Sequence, residues 1–260
     1  MPNRRASLLA KFAKFYGLQQ RIFDICLGTS TAGRGHLDDP GRAADSLPYE
    51  GCQWPAVSHA LRELRPTASD VFVDFGSGKG KALVIAGRLP YRRVVGVELD
   101  DELAVVARRN IAQARRRLRA GLVECLTASV LDWQVPDDSS IFFMYNPFLG
   151  ETFRAAVSAV FESYDRHPRK LHLVYQYPRE HNWLISTGRV AVENVRPMRR
   201  PAPRRWWVDE DEKVIVTYHV VGEDAQLPAV RCLPRVEATS EAVRRWSGPV
   251  WSLQTSASPR

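Results

Sequence analysis

The residues best placed to do chemistry are Asp74-Phe75-Gly76-Ser77-Gly78-Lys79-Gly80, followed 18 positions after Gly80 by Glu98. Glycines at 76, 78 and 80 let the backbone turn tightly and approach a ligand with no side chain in the way. Several nucleotide-like ligands use such a loop, and the neighbouring residues separate them. A phosphate-binding P-loop needs a lysine followed by serine or threonine, whereas Lys79 and Lys81 precede Gly80 and Ala82. A dinucleotide loop needs a third glycine where Lys81 stands. A carboxylate at Asp74 would repel a pyrophosphate and attract an ammonium. Glu98 can accept two hydrogen bonds from ribose hydroxyls, and Leu99 can then lie against a base. An ammonium, a ribose, an adenine and no phosphate together describe S-adenosylmethionine. Asp74, Gly76, Ser77, Gly78, Gly80, Glu98 and Leu99 are therefore its expected binding residues.

A second constellation, Tyr145-Asn146-Pro147-Phe148, is where a methyl acceptor would meet the cofactor. Displacement at a methyl carbon on a good leaving group asks the protein mainly to position the acceptor. An amine acceptor needs partners for its N–H groups, and the Asn146 side-chain oxygen with the adjacent carbonyl can supply two. Pro147 makes the turn rigid. Phe148 or Tyr145 can stack on a planar acceptor or face the developing cation.

These residues need strand ends to carry them. Apolar runs predict strands over Val71–Phe75, Arg93–Glu98, Leu122–Thr127, Ile141–Tyr145 and Leu171–Tyr177, with two more over Val190–Val195 and Val214–Val220. Helical periodicity marks Lys79–Leu89, Asp101–Arg119 and Glu151–Tyr164, the second with Asp100 as cap and acidic residues in its first turn. Alternating strands and helices predict a doubly wound α/β fold, a mostly parallel seven-stranded sheet covered on both faces. Ligands bind beyond the carboxyl ends of such strands, where both constellations fall. The expected organisation is an N-terminal helical extension and covering loop over 1–50, a catalytic domain over 51–222 with a long connection at 197–212, and a C-terminal extension over 223–260 ending in a frayed tail.

The loop D-x-G-x-G-x-G followed by a strand ending in glutamate is the motif pair of class I S-adenosylmethionine-dependent methyltransferases, which this chain resembles over roughly residues 50–180. The resemblance implies a Rossmann-like domain and a contact to the adenine amine after the third strand, where the superfamily often has an acidic residue; here the Ser129 hydroxyl and Asp132 are the candidates, and either can equally serve as a helix N-cap. Asn146-Pro147-Phe148 resembles the Asn-Pro-Pro-aromatic motif of amino-directed methyltransferases with one proline missing. Thr31-Ala32-Gly33, Tyr49-Glu50 and Trp54, taken with the motifs above and Gly96-Val97-Glu98, are similar to bacterial relatives of the non-SET histone-lysine methyltransferases. That narrower resemblance implies an N-terminal loop over the methionine end of the cofactor, with Tyr49 and Glu50 as its members. It implies no histone substrate.

Composition narrows the setting. The four cysteines are far apart, no pair has C-x-x-C spacing, and no metal site or disulfide framework is expected, which fits a cytoplasmic protein. Leu8, Leu9, Phe12, Phe15 and Tyr16 trace one helical face among basic residues, expected to dock on the domain rather than on a membrane, and no run is long enough to span a bilayer. The net charge is +8. Arg199, Arg200, Arg204, Arg205, Trp206 and Trp207 suit phosphate contacts with base stacking, or a solvated loop neutralised by the acidic run Asp209–Glu212. The expected reaction is methyl transfer to a nitrogen of a protein side chain or small amine. The alternatives are a nucleic-acid methyltransferase and a catalytically silent binding module of the same fold.

Overall fold

The computed structural model describes residues 21–32, 51–198 and 214–225. The expected helix over 8–16, Tyr49 and Glu50, the stretch Arg199–Trp207 and the C-terminal tail lie outside the described residues. Residues 21–27 are helical (α1). The remaining elements are α2 (Trp54–Glu63), β1 (Val71–Phe75), α3 (Lys81–Gly87), β2 (Arg93–Glu98), α4 (Asp101–Ala114), β3 (Leu122–Thr127), β4 (Ile141–Met144), α5 (Gly150–Arg166), β5 (His172–Gln176), α6 (His181–Ser186), β6 (Val190–Pro197) and β7 (Val214–Val220). They form one seven-stranded sheet in the order β3-β2-β1-β4-β5-β7-β6. β1 to β5 run parallel, and β7 is antiparallel to both β5 and β6. This is the doubly wound, mostly parallel sheet expected from the alternation.

Side-chain alternation divides the core in two. Phe72, Val94, Phe143, Val174 and Ile215 face α1 to α4, and Phe23 and Leu27 of α1 are buried there with Leu61 of α2. Val71, Val73, Val97, Met144 and Tyr175 face α5 and α6. Strand order reverses between β1 and β4, which opens a crevice at their carboxyl ends. Among the described residues no helix is long and apolar enough to cross a membrane.

Helix ends differ from the expected ones for identifiable reasons. α3 starts at Lys81 because Gly80 holds φ +75° and its N–H closes a turn on Ser77 O. α4 is capped as expected, the Asp100 side chain accepting from Leu103 N, but it ends at Ala114 with a single 3₁₀ turn over Arg115–Arg117. Beyond it Arg119 N and Ala120 N both donate to Gly87 O, so the end of α3 takes the backbone donors a longer helix would use. Two helices, α2 and α6, had no expectation; each is short, and Pro55 in the first turn of α2 was its one boundary signal.

Candidate active site

The glycine loop is fastened to the end of β2. Gly76 N and Ser77 N both donate to Val97 O, at 2.9 and 3.2 Å, and Gly78 N donates to Glu98 Oε2 at 2.6 Å. The other oxygen of Glu98 accepts from Asp100 N at 3.0 Å. Glu98 therefore does more than sequence reasoning assigned, since it ties the loop to the strand before any ligand arrives. Its oxygens retain lone pairs for ribose hydroxyls. Gly76 stands at φ +69°, and a Cβ there would lie 2.2 Å from Pro147 Cβ. The glycine loop and the Asn146-Pro147 turn thus touch, a contact no motif predicts. Gly80 has a separate use: a Cβ on it would come within 3.0 Å of Ala107 Cβ on α4.

Asp74 and Glu98 point to the same sheet face from neighbouring strands, and both are buried. Burial first, then the Glu98 charge, pushes the Asp74 carboxyl well above the usual range. Burial likewise raises Glu98, against the lowering effect of the Asp100 and Gly78 N–H groups. Cys52 lies close enough to sense Asp74 and Lys81, and burial pushes its thiol up to about 12, so it is a neutral neighbour. Leu99 is 54% exposed, an apolar side chain offered to solvent beside Glu98. The Ser77 hydroxyl turns into the sheet, 3.3 Å from Cys125 Sγ, in space that exists because Gly96 has no side chain, and so fastens the loop. The Ser129 hydroxyl accepts from Leu131 N at 3.2 Å and caps the turn after β3, while Asp132 is exposed.

Beside the glycine loop the chain leaves β4 and β5 in strained conformations. Asn146 and Tyr177 have φ +43° and +53°, two of the three described non-glycine residues with positive φ. Such geometry persists only where surrounding contacts enforce it. Here the Asn146 Oδ1 accepts from Tyr175 OH at 2.9 Å, so one of its two lone pairs is committed inside the protein. Tyr175 is fully buried, stacks on Phe153 at 5.3 Å, and has its oxygen faced by the Arg179 and Glu180 N–H groups. Glu180 in turn accepts from Gly150 N at the start of α5. Phe148, at 6% exposure, packs on Phe75 in the core. Tyr145 keeps partial exposure and stacks on Tyr177, rings 5.5 Å apart and 29° from parallel.

A further wall comes from α1. Asp24 accepts from the Thr29 and Thr31 hydroxyls and from the Thr31 and Ala32 N–H groups. Asn110, buried in the middle of α4, accepts from Ser30 N and donates to Lys79 O, both at 2.8 Å. Residues 29–32 are thereby stapled to the glycine loop. Sequence reasoning missed Asp24, Asn110, Tyr175 and Tyr177. The available signals were an asparagine at helical spacing between Ala107 and Ala114, and the rule that strand ends in such sheets carry function.

With this geometry in view, the chain superposes on solved structures. A proposed RNA methyltransferase from Pyrococcus horikoshii is 15% identical, covering 78% of this chain and 99% of that one with a TM-score of 0.50. The fold is the Rossmann-like fold of the methyltransferases. An RNA methyltransferase from Salinibacter ruber in complex with S-adenosyl-L-homocysteine is 20% identical over 68% of this chain and 95% of that one, TM-score 0.45. A precorrin-6y methyltransferase from Geobacter metallireducens is 17% identical over 74% and 98%, TM-score 0.46. No family model and no curated protein matches the sequence.

Proposed function

We propose that the chain is an S-adenosylmethionine-dependent methyltransferase that alkylates a nitrogen. The observation that carries the reading is the pair Asp74 and Glu98 on one sheet face beside a turn, Asn146-Pro147, that packs directly on the glycine loop. Asp74 is suited to the methionine ammonium, Glu98 to the ribose hydroxyls, and Leu99 to the adenine. When bound, the cofactor supplies a methyl group on a sulfonium leaving group. The protein's part is to hold an acceptor lone pair in line with it, through Asn146, whose orientation Tyr175 sets. The Tyr145–Tyr177 stack at the same place favours a planar acceptor over a flexible amine. The narrower kinship with the non-SET histone-lysine enzymes rests on the sequence motifs, of which Gly33, Tyr49 and Glu50 lie outside the described residues. Cys52 and Cys125 as buried free thiols fit action in a reducing cytosol.

Calorimetry tests the cofactor assignment. S-adenosylmethionine and S-adenosylhomocysteine are expected to bind and NAD is not; tight NAD binding would overturn the reading. Glu98→Ala is expected to weaken cofactor affinity about ten- to a hundredfold, because hydrogen bonds to a charged group are worth roughly 1.5–3 kcal/mol. Since Glu98 also anchors Gly78, the variant should melt earlier as well. An unchanged dissociation constant in folded protein would remove Glu98 from the ribose site.

Asp74 predicts a proton linkage. With its carboxyl raised by burial, Asp74 in the cofactor-free protein holds its proton to higher pH than an exposed aspartate would. An ammonium seated against it favours the ionised form, so binding should release a proton below the raised pKa, and affinity should climb as pH rises toward it. The stability contribution has the opposite sense. It is fully present below the ordinary carboxylate range and is lost as pH rises through the raised value, so cofactor-free protein should melt lower across that window. Titrations in buffers of different ionisation enthalpy read the proton directly. Equal release by Asp74→Asn would assign it elsewhere.

A further inference from the structure

One polar side chain at the crevice is used by neither the cofactor residues nor Asn146. Gln176 is the last residue of β5, has no exposed surface, and its Oε1 and Nε2 are both buried with no hydrogen-bond partner among the described residues. An amide stranded in this way is destabilising, and native proteins seldom keep one without a reason. The register says where it lies. Met144 pairs with Tyr175 across β4 and β5, so Tyr145 and Gln176 follow side by side, and Gln176 pairs with Ile215 on β7. Alternation places Gln176 on the face of Val174, the face that also carries Phe143, Ile215 and the packing side of Tyr145. Asp74 and Glu98 point to that same face. Along the carboxyl edge the sequence of side chains is therefore Glu98 on β2, Asp74 on β1, Tyr145 after β4 and Gln176 on β5. Gln176 is thus one strand beyond the Tyr145-Asn146 turn, on the side away from Glu98.

We propose that Gln176 recognises the methyl acceptor and that the acceptor is a nucleobase, stacked on the Tyr145–Tyr177 pair with its edge against the Gln176 amide. This rests on the N-methyltransferase reading above. The argument is chemical complementarity. A primary amide presents one acceptor and one donor pair side by side, and a base edge offers an amino or imino donor beside a ring-nitrogen or carbonyl acceptor. A lysine amine has no acceptor once charged and no face to stack, so it would leave half of Gln176 unmatched. Stacking on aromatic rings suits any base, and enzymes that modify bases seat the extruded base in a closed pocket read in this way. The net charge of +8 favours a polyanion that delivers the base. Because Gln176 is fully covered in the free chain, seating a base requires a shift at this strand end, where Asn146 and Tyr177 already hold strained backbone.

The test incubates the full chain with methyl-labelled S-adenosylmethionine and three bacterial fractions, protein-free RNA, protein-free DNA, and protein stripped of nucleic acid. Cofactor affinity and melting temperature are measured on the same samples. The wild-type chain is expected to label one nucleic-acid fraction, RNA and DNA being told apart by the fraction. Gln176→Met is expected to bind cofactor normally, melt at the same or a higher temperature, and transfer about ten- to a hundredfold more slowly. Gln176→Leu, which removes both the donor and the acceptor in a smaller side chain, is expected to transfer slowly too, and serves if methionine overpacks the site. Normal transfer to nucleic acid by folded Gln176 variants would overturn the role of Gln176. Label confined to protein, or absent from both nucleic-acid fractions while the cofactor binds, would overturn the nucleobase. Failure of the wild-type chain to bind S-adenosylmethionine would instead sink the methyltransferase reading beneath it.

Discussion

Asn146→Ala is expected to slow methyl transfer in a single turnover by about a hundredfold while leaving S-adenosylmethionine affinity nearly intact. Misplacing an acceptor by a fraction of its working geometry has effects on that order, and an interaction that orients the acceptor shows in the chemical step rather than in cofactor binding. The competing explanation is that Asn146 only stabilises the turn before Pro147. Its φ of +43° makes that a real concern, because an alanine in the left-handed region is strained by roughly 1–2 kcal/mol. Asn146→Gly removes the side chain without that strain. If the glycine variant melts normally yet transfers slowly, the amide acts on the acceptor. If it recovers the rate, the residue is a turn former and the amine-acceptor reading loses its main support. Tyr175→Phe should have a smaller effect in the same direction, since it removes the hydroxyl that orients Asn146.

Gly76→Ala is expected to do more general damage. A methyl there meets Pro147 Cβ at 2.2 Å and also needs φ +69°, which an L-residue resists. The strain is about 1–2 kcal/mol and the overpacking typically about 1–3 kcal/mol more. For a domain of this size each kcal/mol lowers the melting temperature by roughly 2–4 °C, so a fall on the order of 5–15 °C should be measured. Cofactor binding and transfer should fall together, because the glycine loop and the Asn146 turn are pushed apart. Gly188→Ala is the control: it has φ +66° with nothing within 4 Å of the added methyl, so it reports backbone strain without the collision. Equal losses in the two variants would mean that the contact with Pro147 contributes nothing.

Much of the protein was determined by its sequence because the relevant signals are local. Short apolar runs bounded by charge or glycine define β2, β3 and β7 to the residue, and the Asp100 cap with its acidic first turn starts α4 where expected. The glycine spacing and the carboxylates at 74 and 98 were legible for the same reason, since a ligand-facing loop between a strand and a helix is written in consecutive residues. Where sequence reasoning stopped was at distance. Nothing near Ser77 says that its hydroxyl fills the space left by Gly96, and nothing near Phe148 says that Phe75 lies beneath it. The Asn146–Tyr175 bond joins residues 29 apart, and the Asn110 staple joins helix α4 to Ser30 across 80 positions. Only the parallel packing of β4 against β5 brings Asn146, Tyr175 and Gln176 to one edge, and strand order in a sheet is a property of the whole hydrophobic core. Residue type and local spacing thus supplied the proposed cofactor residues, while the fold alone decided which side chains stand beside Asn146 and which are consumed in holding the loops together.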